Sequence, residues 1–127
     1  MYLLDTHSFL WFIAGDEKLS RLARSLMTEG GVRLFLSSAS LWEIAIKVSV
    51  GKLVLSAPFA ELIPELLAVN EIDILPIKVS DLAVLVQLPF HHRDPFDRLL
   101  AAQSSANSLP LISGDTNFDE YQVIRLW

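Results

Sequence analysis

The chain has 127 residues, a formal net charge of −5 and a pI of about 5.0, and 52% of its residues are hydrophobic. This length fits one domain, residues 1–127, with a substantial core. The acidic balance excludes a protein that binds nucleic acid through overall basicity. Cysteine is absent, which excludes disulfides and thiolate chemistry.

No apolar run reaches the roughly 18 residues that span a bilayer, so no membrane contact is expected. The first residues also lack the basic flank of a signal peptide. We therefore expect a cytoplasmic protein.

Apolar segments with strand and helix patterns alternate along the chain. In chain order, we predict a strand at Tyr2–Leu4, helices at His7–Ala14 and Ser20–Glu29, a strand at Val32–Leu36, helices at Ser40–Val50 and Phe59–Val69, a strand at Ile72–Leu75, helices at Ser80–Gln87 and Pro95–Asn107, a strand at Pro110–Ile112, a turn or single helical turn at Asp115–Asp119, and a strand at Gln122–Leu126. The strands lack a clean period of two, which indicates that both faces of the sheet are buried. This pattern predicts a three-layer α/β fold with a central, mostly parallel sheet flanked by helices.

Four acids lie where such strands end or where the following helices begin. Asp5 and Asp115 follow candidate strands, and Glu43 and Asp97 lie near the starts of candidate helices. Ligands of parallel sheets bind beyond the carboxyl ends of the strands, so the four side chains are expected to converge. Converging carboxylates repel one another unless a cation lies between them.

The cation that suits carboxylate oxygens and phosphate is Mg²⁺ or Mn²⁺. Such an ion polarises a phosphoryl oxygen and activates water for phosphodiester hydrolysis. The sequence therefore predicts a metal site whose four acids are both ligands and catalytic residues.

Three of these acids also have a purely structural explanation. Asp5 could cap the first helix, and Asp115 could form an Asx turn. Glu43 could complete a capping box by reaching back to Ser40.

The segment from Asp94 to Asp97 is a strong helix start, with Asp94 as N-cap and Pro95 at the first helical position. Asp94 is therefore predicted to be a cap, or a residue just outside the metal's ligands. A helix cap requires only one acid, so Asp97 is the better candidate for a metal ligand.

Basic side chains near these acids could form a rim that contacts nucleic-acid phosphate, the candidates being Lys47, Arg93 and Arg98. Lys47 lies four residues after Glu43, so an ion pair between them is the alternative. Trp11 and Trp42 are expected to face the core or a partner rather than stack on bases.

Other chemistries find little support. No Gly-rich phosphate loop, zinc-ligand spacing or Ser–His–Asp set is evident. A haloacid-type phosphatase needs a second Asp two residues after Asp5, where this chain has His7. A receiver domain needs an Asp at the end of its third strand and a later Lys, and we find neither. A non-enzymatic module, with the acids as caps and its apolar surface covered by a partner, remains open.

Four motifs occur in order along the chain: Leu3-Leu4-Asp5-Thr6-His7, Ser40-x-Trp42-Glu43-Ile44-x-Ile46-Lys47, Arg93-Asp94-Pro95-Phe96-Asp97-Arg98-Leu99-Leu100-x-x-Gln103, and Leu111-Ile112-Ser113-Gly114-Asp115-x-x-Phe118. Together they resemble the PIN-domain ribonuclease toxins of the VapC type. The resemblance implies a PIN-like domain, a Mg²⁺ or Mn²⁺ cofactor and endonucleolytic cleavage of RNA. It also implies a homodimer and a cognate antitoxin that blocks the site.

Residue by residue, the resemblance implies that the same four acids are metal ligands: Asp5, Glu43, Asp97 and Asp115. It places Thr6, Asp94 and Ser113 beside them as neighbours. Gly114 is a departure that predicts a flexible position next to Asp115. The alternative to an active toxin is a catalytically inert PIN-like partner-binding module.

Overall fold

The computed structural model describes all 127 residues, and its centre is a five-stranded sheet. The elements in chain order are β1 (Tyr2–Leu4), α1 (Thr6–Ala14), α2 (Arg21–Thr28), β2 (Leu34–Ser37), α3 (Ser38–Ser49), α4 (Phe59–Val69), β3 (Ile72–Leu75), α5 (Val79–Gln87), α6 (Pro95–Ala106), β4 (Leu111–Ile112), a 3₁₀ turn (Thr116–Glu120) and β5 (Arg125–Leu126). Every neighbouring pair of strands is parallel. None of the helices has the length and apolar character needed to cross a membrane.

Helices cover both faces of the sheet, which confirms the predicted three-layer α/β fold. Along β1, Leu4 packs in a core cluster with residues of α1 to α4, whereas Leu3 faces a second cluster with α6 and Phe118. Side chains alternate between the faces of a strand, and here both faces meet apolar helices. Burial of both faces explains why the strand sequences show no polar alternation.

The predicted elements are all present, and the main shift is at the start of α3. The helix begins at Ser38 because the Ser37 hydroxyl accepts a hydrogen bond from the Ala39 N–H at 3.0 Å. Ser37 is therefore the N-cap, and Ser40 lies inside the first turn. The last strand is also shorter than predicted, covering only Arg125–Leu126.

The strand order β3-β2-β1-β4-β5 places the first strand at the centre of the sheet. The chain moves outward from β1 to β2 and β3 on one side, and later fills the other side with β4 and β5. Such a reversal opens a crevice at the carboxyl ends of the two strands that flank it. Leu4 pairs with Ile112 in register, so Asp5 and Ser113 leave the sheet side by side.

Candidate active site

Asp5 is a buried carboxylate at this crevice rather than a helix cap. It occupies the N-cap position of α1, but its side chain makes no capping hydrogen bond. The residue is only 4% exposed, and Oδ2 accepts a hydrogen bond from the Ser113 hydroxyl at 2.9 Å. Burial raises the pKa of Asp5, the Ser113 hydroxyl and His7 partly offset the rise, and Glu43 adds to it. The cap explanation is therefore wrong for Asp5.

Asp97 lies in the first turn of α6, and its pKa depends on the charges around it. Burial and the like charges of Asp94, Asp5, Asp115 and Glu43, in that order of effect, together raise this pKa to about 7. A like charge disfavours ionisation only when it lies near. The fold therefore brings Asp97 within electrostatic reach of the other three predicted ligands.

Glu43 lies in the second turn of α3, and it is not part of a capping box. Ser40 is no cap, since its hydroxyl oxygen instead accepts a hydrogen bond from Thr6 Oγ1 at 2.8 Å. The Glu43 carboxylate forms an ion pair with Lys47, Oε2 to Nζ, at 3.1 Å. The i,i+4 pairing foreseen for Lys47 is therefore confirmed, and Lys47 holds Glu43 rather than standing free for phosphate.

Asp115 combines a local role with a place beside Asp5. Its Oδ1 accepts a hydrogen bond from the Asn117 N–H at 2.9 Å, which confirms the predicted Asx turn. Its own N–H donates to Ser113 Oγ at 3.0 Å, and that hydroxyl donates to Asp5. Ser113 thus connects the two acids, and the second carboxylate oxygen of Asp115 accepts no hydrogen bond.

Gly114 is required by close packing and not by flexibility. A Cβ atom at this position would lie 2.8 Å from Cε2 of the Trp127 indole, well inside van der Waals contact. The predicted flexible position is therefore wrong, because the indole covers the backbone between Ser113 and Asp115.

Asp94 and Arg98 serve the local structure of α6. Asp94 is the predicted N-cap, with Oδ1 accepting hydrogen bonds from the N–H groups of Phe96 at 2.9 Å and Asp97 at 3.3 Å. The Arg98 residue is only 7% exposed. Its guanidinium donates hydrogen bonds to three backbone carbonyl oxygens in the last turn of α5 and just after it. They belong to Pro89, at 2.8 Å, and to Leu85 and Leu88, both at 3.4 Å.

The phosphate role predicted for Arg98 is therefore wrong, because the cation is buried and already bonded. Its charge meets the partly negative carboxyl end of α5, a favourable electrostatic arrangement. Arg93 is exposed and takes part in no ion pair, so its contact with phosphate stays a prediction.

The donor set suits a hard cation, although the side chains do not yet surround one. No group of three His, Asp or Glu side chains is arranged so that it could hold a metal ion. Asp5, Asp97 and Asp115 form no ion pair with a basic side chain. Uncompensated carboxylates repel one another, and a divalent cation would relieve that repulsion by drawing their oxygens together. The four acids therefore remain the predicted ligands.

A cleft of about 300 Å³ opens beside two of the acids, and the sequence pattern did not predict it. Its lining residues are Asp5, His7, Trp11, Lys18, Gly114, Asp115 and Trp127. The one usable signal was the i,i+4 spacing of His7 and Trp11, which places both on the helix face next to Asp5. No comparable sequence pattern predicts that Lys18 and Trp127 line the cleft, because both residues come from other segments of the chain.

A buried polar network behind the site was also missed. The Ser37 hydroxyl donates a hydrogen bond to Gln103 Oε1, and Gln103 Nε2 donates to Asp81 Oδ2 at 3.4 Å. Asp81 is fully buried and also accepts from Asn107 Nδ2 at 2.9 Å and from the Lys78 N–H at 2.9 Å. The network connects the end of β2 to α6, the helix that carries Asp97.

Comparison with known proteins gives one family and a set of similar folds. The model of the PIN domain family matches residues 2–124. Among curated protein sequences there is no match.

Three solved structures are similar over nearly the whole length of both chains. VapBC2 from Rickettsia felis, bound to a DNA fragment from its promoter, gives a TM-score of 0.72 at 16% identity over 98% of this chain and 96% of that one. FitAB bound to the IR36 DNA fragment gives 0.71 at 20% identity, over 99% and 94%. A toxin–antitoxin complex from Klebsiella pneumoniae gives 0.67 at 15% identity, over 100% and 97%. These likenesses confirm the predicted fold.

Proposed function

The chain belongs to the PIN domain family, and on that premise we propose that it is a metal-dependent endoribonuclease, the toxin of a type II toxin–antitoxin system. PIN domains are generally nucleases, which supports hydrolase chemistry at the level of class. The finer proposal is hydrolysis of RNA phosphodiester bonds by water that Mg²⁺ or Mn²⁺ activates. The protein acts in the cytoplasm as one PIN-like unit over residues 1–127.

The observation that carries the proposal is the electrostatic convergence of four distant acids. Asp5, Glu43 and Asp115 all raise the pKa of Asp97, although they come from different elements. Three of the four, Asp5, Asp97 and Asp115, have no ion-pair partner, and a fold gains no stability from placing such carboxylates together. Such a cluster is typical of sites whose charge is balanced by a metal during function.

Asp5, Glu43 and Asp97 would hold the ion, with Asp115 completing the site directly or through water. When bound, the ion polarises a phosphoryl oxygen and lowers the pKa of a bound water. The neighbouring residues keep these acids in place. Ser113 joins Asp5 to Asp115, and Lys47 holds Glu43.

Asp97 makes metal binding sensitive to pH. Its pKa of about 7 in the cation-free protein means that it is partly protonated near neutral pH. A carboxylate must be deprotonated to bind a metal ion, so cation binding would release this proton and should strengthen as the pH rises. Asp94 supports Asp97 by capping the same helix turn.

Exposed apolar stripes support the proposal of protein partners. On α5 and the loop after it, Val79, Leu82, Val86 and Phe90 are exposed, and on α3 a second stripe consists of Trp42, Ile46 and Val50. Large exposed apolar patches commonly mark protein interfaces. We propose that a second copy of the chain and a cognate antitoxin cover these surfaces. Light scattering that finds only monomer at micromolar concentration would contradict the homodimer.

A catalytically inert PIN-like partner-binding module is the second candidate. The absence of a ready-made three-residue metal group and the two apolar stripes favour it. It predicts that neither Mg²⁺ nor Mn²⁺ shifts the melting temperature.

RNA cleavage with purified protein tests the proposal. Wild type should cut single-stranded RNA with Mg²⁺ or Mn²⁺ and lose activity in EDTA. Asp5→Asn and Asp97→Asn should lose activity by at least about a hundredfold, since each removes a ligand. Asp73→Asn is the matched control, because this exposed carboxylate lies on β3 and pairs with Arg33. Full activity of both site variants, or of wild type in EDTA, would refute the proposal.

A further inference from the structure

We propose that the cleft beside the acids is a nucleotide subsite, in which a base of single-stranded RNA stacks on one of the indoles of Trp11 and Trp127 and contacts the other, and Lys18 binds an adjacent phosphate. The inference rests on the proposed ribonuclease function and deepens it by naming the residues that hold the substrate. Nothing in the four-acid site itself supplies a contact to a base.

The two indoles form a wall that is fixed in place. Their ring centroids lie 5.9 Å apart with an angle of 56° between the planes. Both side chains are half-buried, pack against the main core cluster and line the cleft. Trp127 is also seated directly on the backbone of Gly114, beside Asp115. A ring that is already held in position loses little entropy when a base stacks on it.

Lys18 supplies a positive charge at the same cleft. Its side chain is exposed, forms no ion pair, and places Nζ 6.0 Å from the centre of a Trp11 ring. The backbone that carries it is fixed, because its N–H donates to Asp16 Oδ1 at 2.9 Å and the next residue, Leu19, is buried. A protein with a net charge of −5 needs such local cations to bind a polyanion.

The chemistry of the cleft favours a nucleotide over a basic peptide segment. Aromatic faces beside a cation are the combination that proteins use for single-stranded nucleic acid. Asp5 and Asp115 would attract an arginine or lysine of a peptide in the cation-free protein, but a bound divalent cation would offset these two charges. Lys18 would then favour a phosphate over a basic side chain. The volume of about 300 Å³ is at the lower end for small-molecule pockets, which suits one nucleotide rather than a duplex.

The position of the cleft links it to catalysis. Asp5 and Asp115 line it together with the two indoles. A base held there would keep its own phosphate near the acids. The subsite would therefore act mainly by binding and positioning RNA, and its loss should raise KM more than it lowers kcat.

The test uses RNA binding in EDTA, where the proposed cleavage is switched off, followed by cleavage kinetics with Mn²⁺. The probes are a short oligoadenylate and an oligomer of equal length whose sugars carry no bases. Wild type should bind the oligoadenylate about tenfold or more tightly than the abasic oligomer, because stacking on one base contributes about that factor. The double variant Trp11→Leu/Trp127→Leu should bind both oligomers equally.

Three further variants keep the test decisive if the double variant folds poorly, as judged by circular dichroism. Lys18→Gln changes only an exposed side chain, and it should lower the salt dependence of log Kd by about 0.7. Lys52→Gln, at an exposed position just after the end of α3, should leave that slope unchanged. Trp42→Phe should keep the RNA-induced quenching of tryptophan fluorescence, which then comes from Trp11 and Trp127.

Each outcome has a distinct meaning. If wild type cleaves RNA but the cleft variants match the Lys52→Gln control, the subsite is refuted while the ribonuclease function stands. If wild type neither binds nor cleaves RNA, the proposed function fails and the subsite fails with it. Binding of an arginine-rich peptide that depends on the two indoles, with RNA binding unchanged, would also overturn the inference in favour of a peptide site.

Discussion

Replacing Asp97 with Asn should stabilise the protein when no metal is present, although it should abolish activity. The carboxylate of Asp97 is half-buried among like charges, which raises its pKa from 3.8 to about 7. A group whose pKa is raised by folding contributes stability at low pH and loses that contribution as the pH rises through the folded value. Above about pH 7 the ionised side chain therefore destabilises the native state.

The size of the effect follows from the shift. A rise from 3.8 to about 7 corresponds to about 4 kcal/mol at 1.36 kcal/mol per unit. Solvent screening of a half-buried group reduces this to about 2 kcal/mol. In EDTA at about pH 8, Asp97→Asn should therefore raise the free energy of unfolding by about 2 kcal/mol and Tm by about 8 °C. At about pH 5 the gain should fall to about 1 kcal/mol or less, because wild type is then protonated at Asp97.

Urea denaturation at the two pH values measures the effect directly. Asp119→Asn is the control with the opposite sign, because the hydrogen bond from Arg125 lowers the pKa of Asp119. That variant should be slightly less stable than wild type at the higher pH. Equal destabilisation of Asp97→Asn at both pH values would contradict this prediction, since it would mean that Asp97 meets no repulsion in the folded protein.

Three further substitutions test the packing around the site, all by urea denaturation. Gly114→Ala should cost about 1 kcal/mol and displace Trp127, because the added Cβ would lie 2.8 Å from the indole; an unchanged fluorescence spectrum would contradict this. Arg98→Lys should cost about 1–3 kcal/mol by leaving α5 carbonyls unpaired, with no change in the salt dependence of RNA binding. Asp81→Ala should cost about 2–3 kcal/mol, because the amide of Gln103 and other buried donors lose their acceptor. A loss below about 0.5 kcal/mol in either of the last two variants would show that water replaces the missing partner.

The fold was predictable because its signals are local. The helix Phe59–Val69 and the strand Ile72–Leu75 have the bounds expected from apolar spacing and flanking turn residues. Asp94 caps α6, as its position before Pro95 predicts. Asp97 is therefore the acid of this segment that is predicted to bind the metal ion. The parallel sheet followed from strands that are apolar on both faces.

The predictions for the cap of α3 and for Arg98 are wrong, because a tertiary contact and not the local sequence decides the role of the residue. Ser37 and Ser40 are both good helix caps, and sequence spacing favoured Ser40 because Glu43 follows it. In the structure Ser37 is the cap, and Ser40 instead receives a hydrogen bond from Thr6, a partner 34 residues away. Arg98 was similarly assigned to phosphate, since nothing in the sequence shows that the end of α5 lies over it.

The aromatic part of the site depends on contacts that no local pattern contains. Trp11 follows Asp5 by less than two helical turns, so its helix face could be foreseen but not its neighbour. Trp127 joins it only because β5 pairs with β4 at the edge of the sheet. Lys18 is placed by the loop after α1, whose course depends on the burial of Leu19.

The proposed cation site consists of Asp5, Glu43, Asp97 and Asp115. Anomalous diffraction from crystals soaked with Mn²⁺ tests this most directly, with Asp97→Asn crystals as the comparison. One strong anomalous peak bonded to the carboxylates of Asp5 and Asp97 is expected in wild type, and no peak is expected there in the variant. A wild-type map without a peak among these four acids at saturating Mn²⁺ would contradict it.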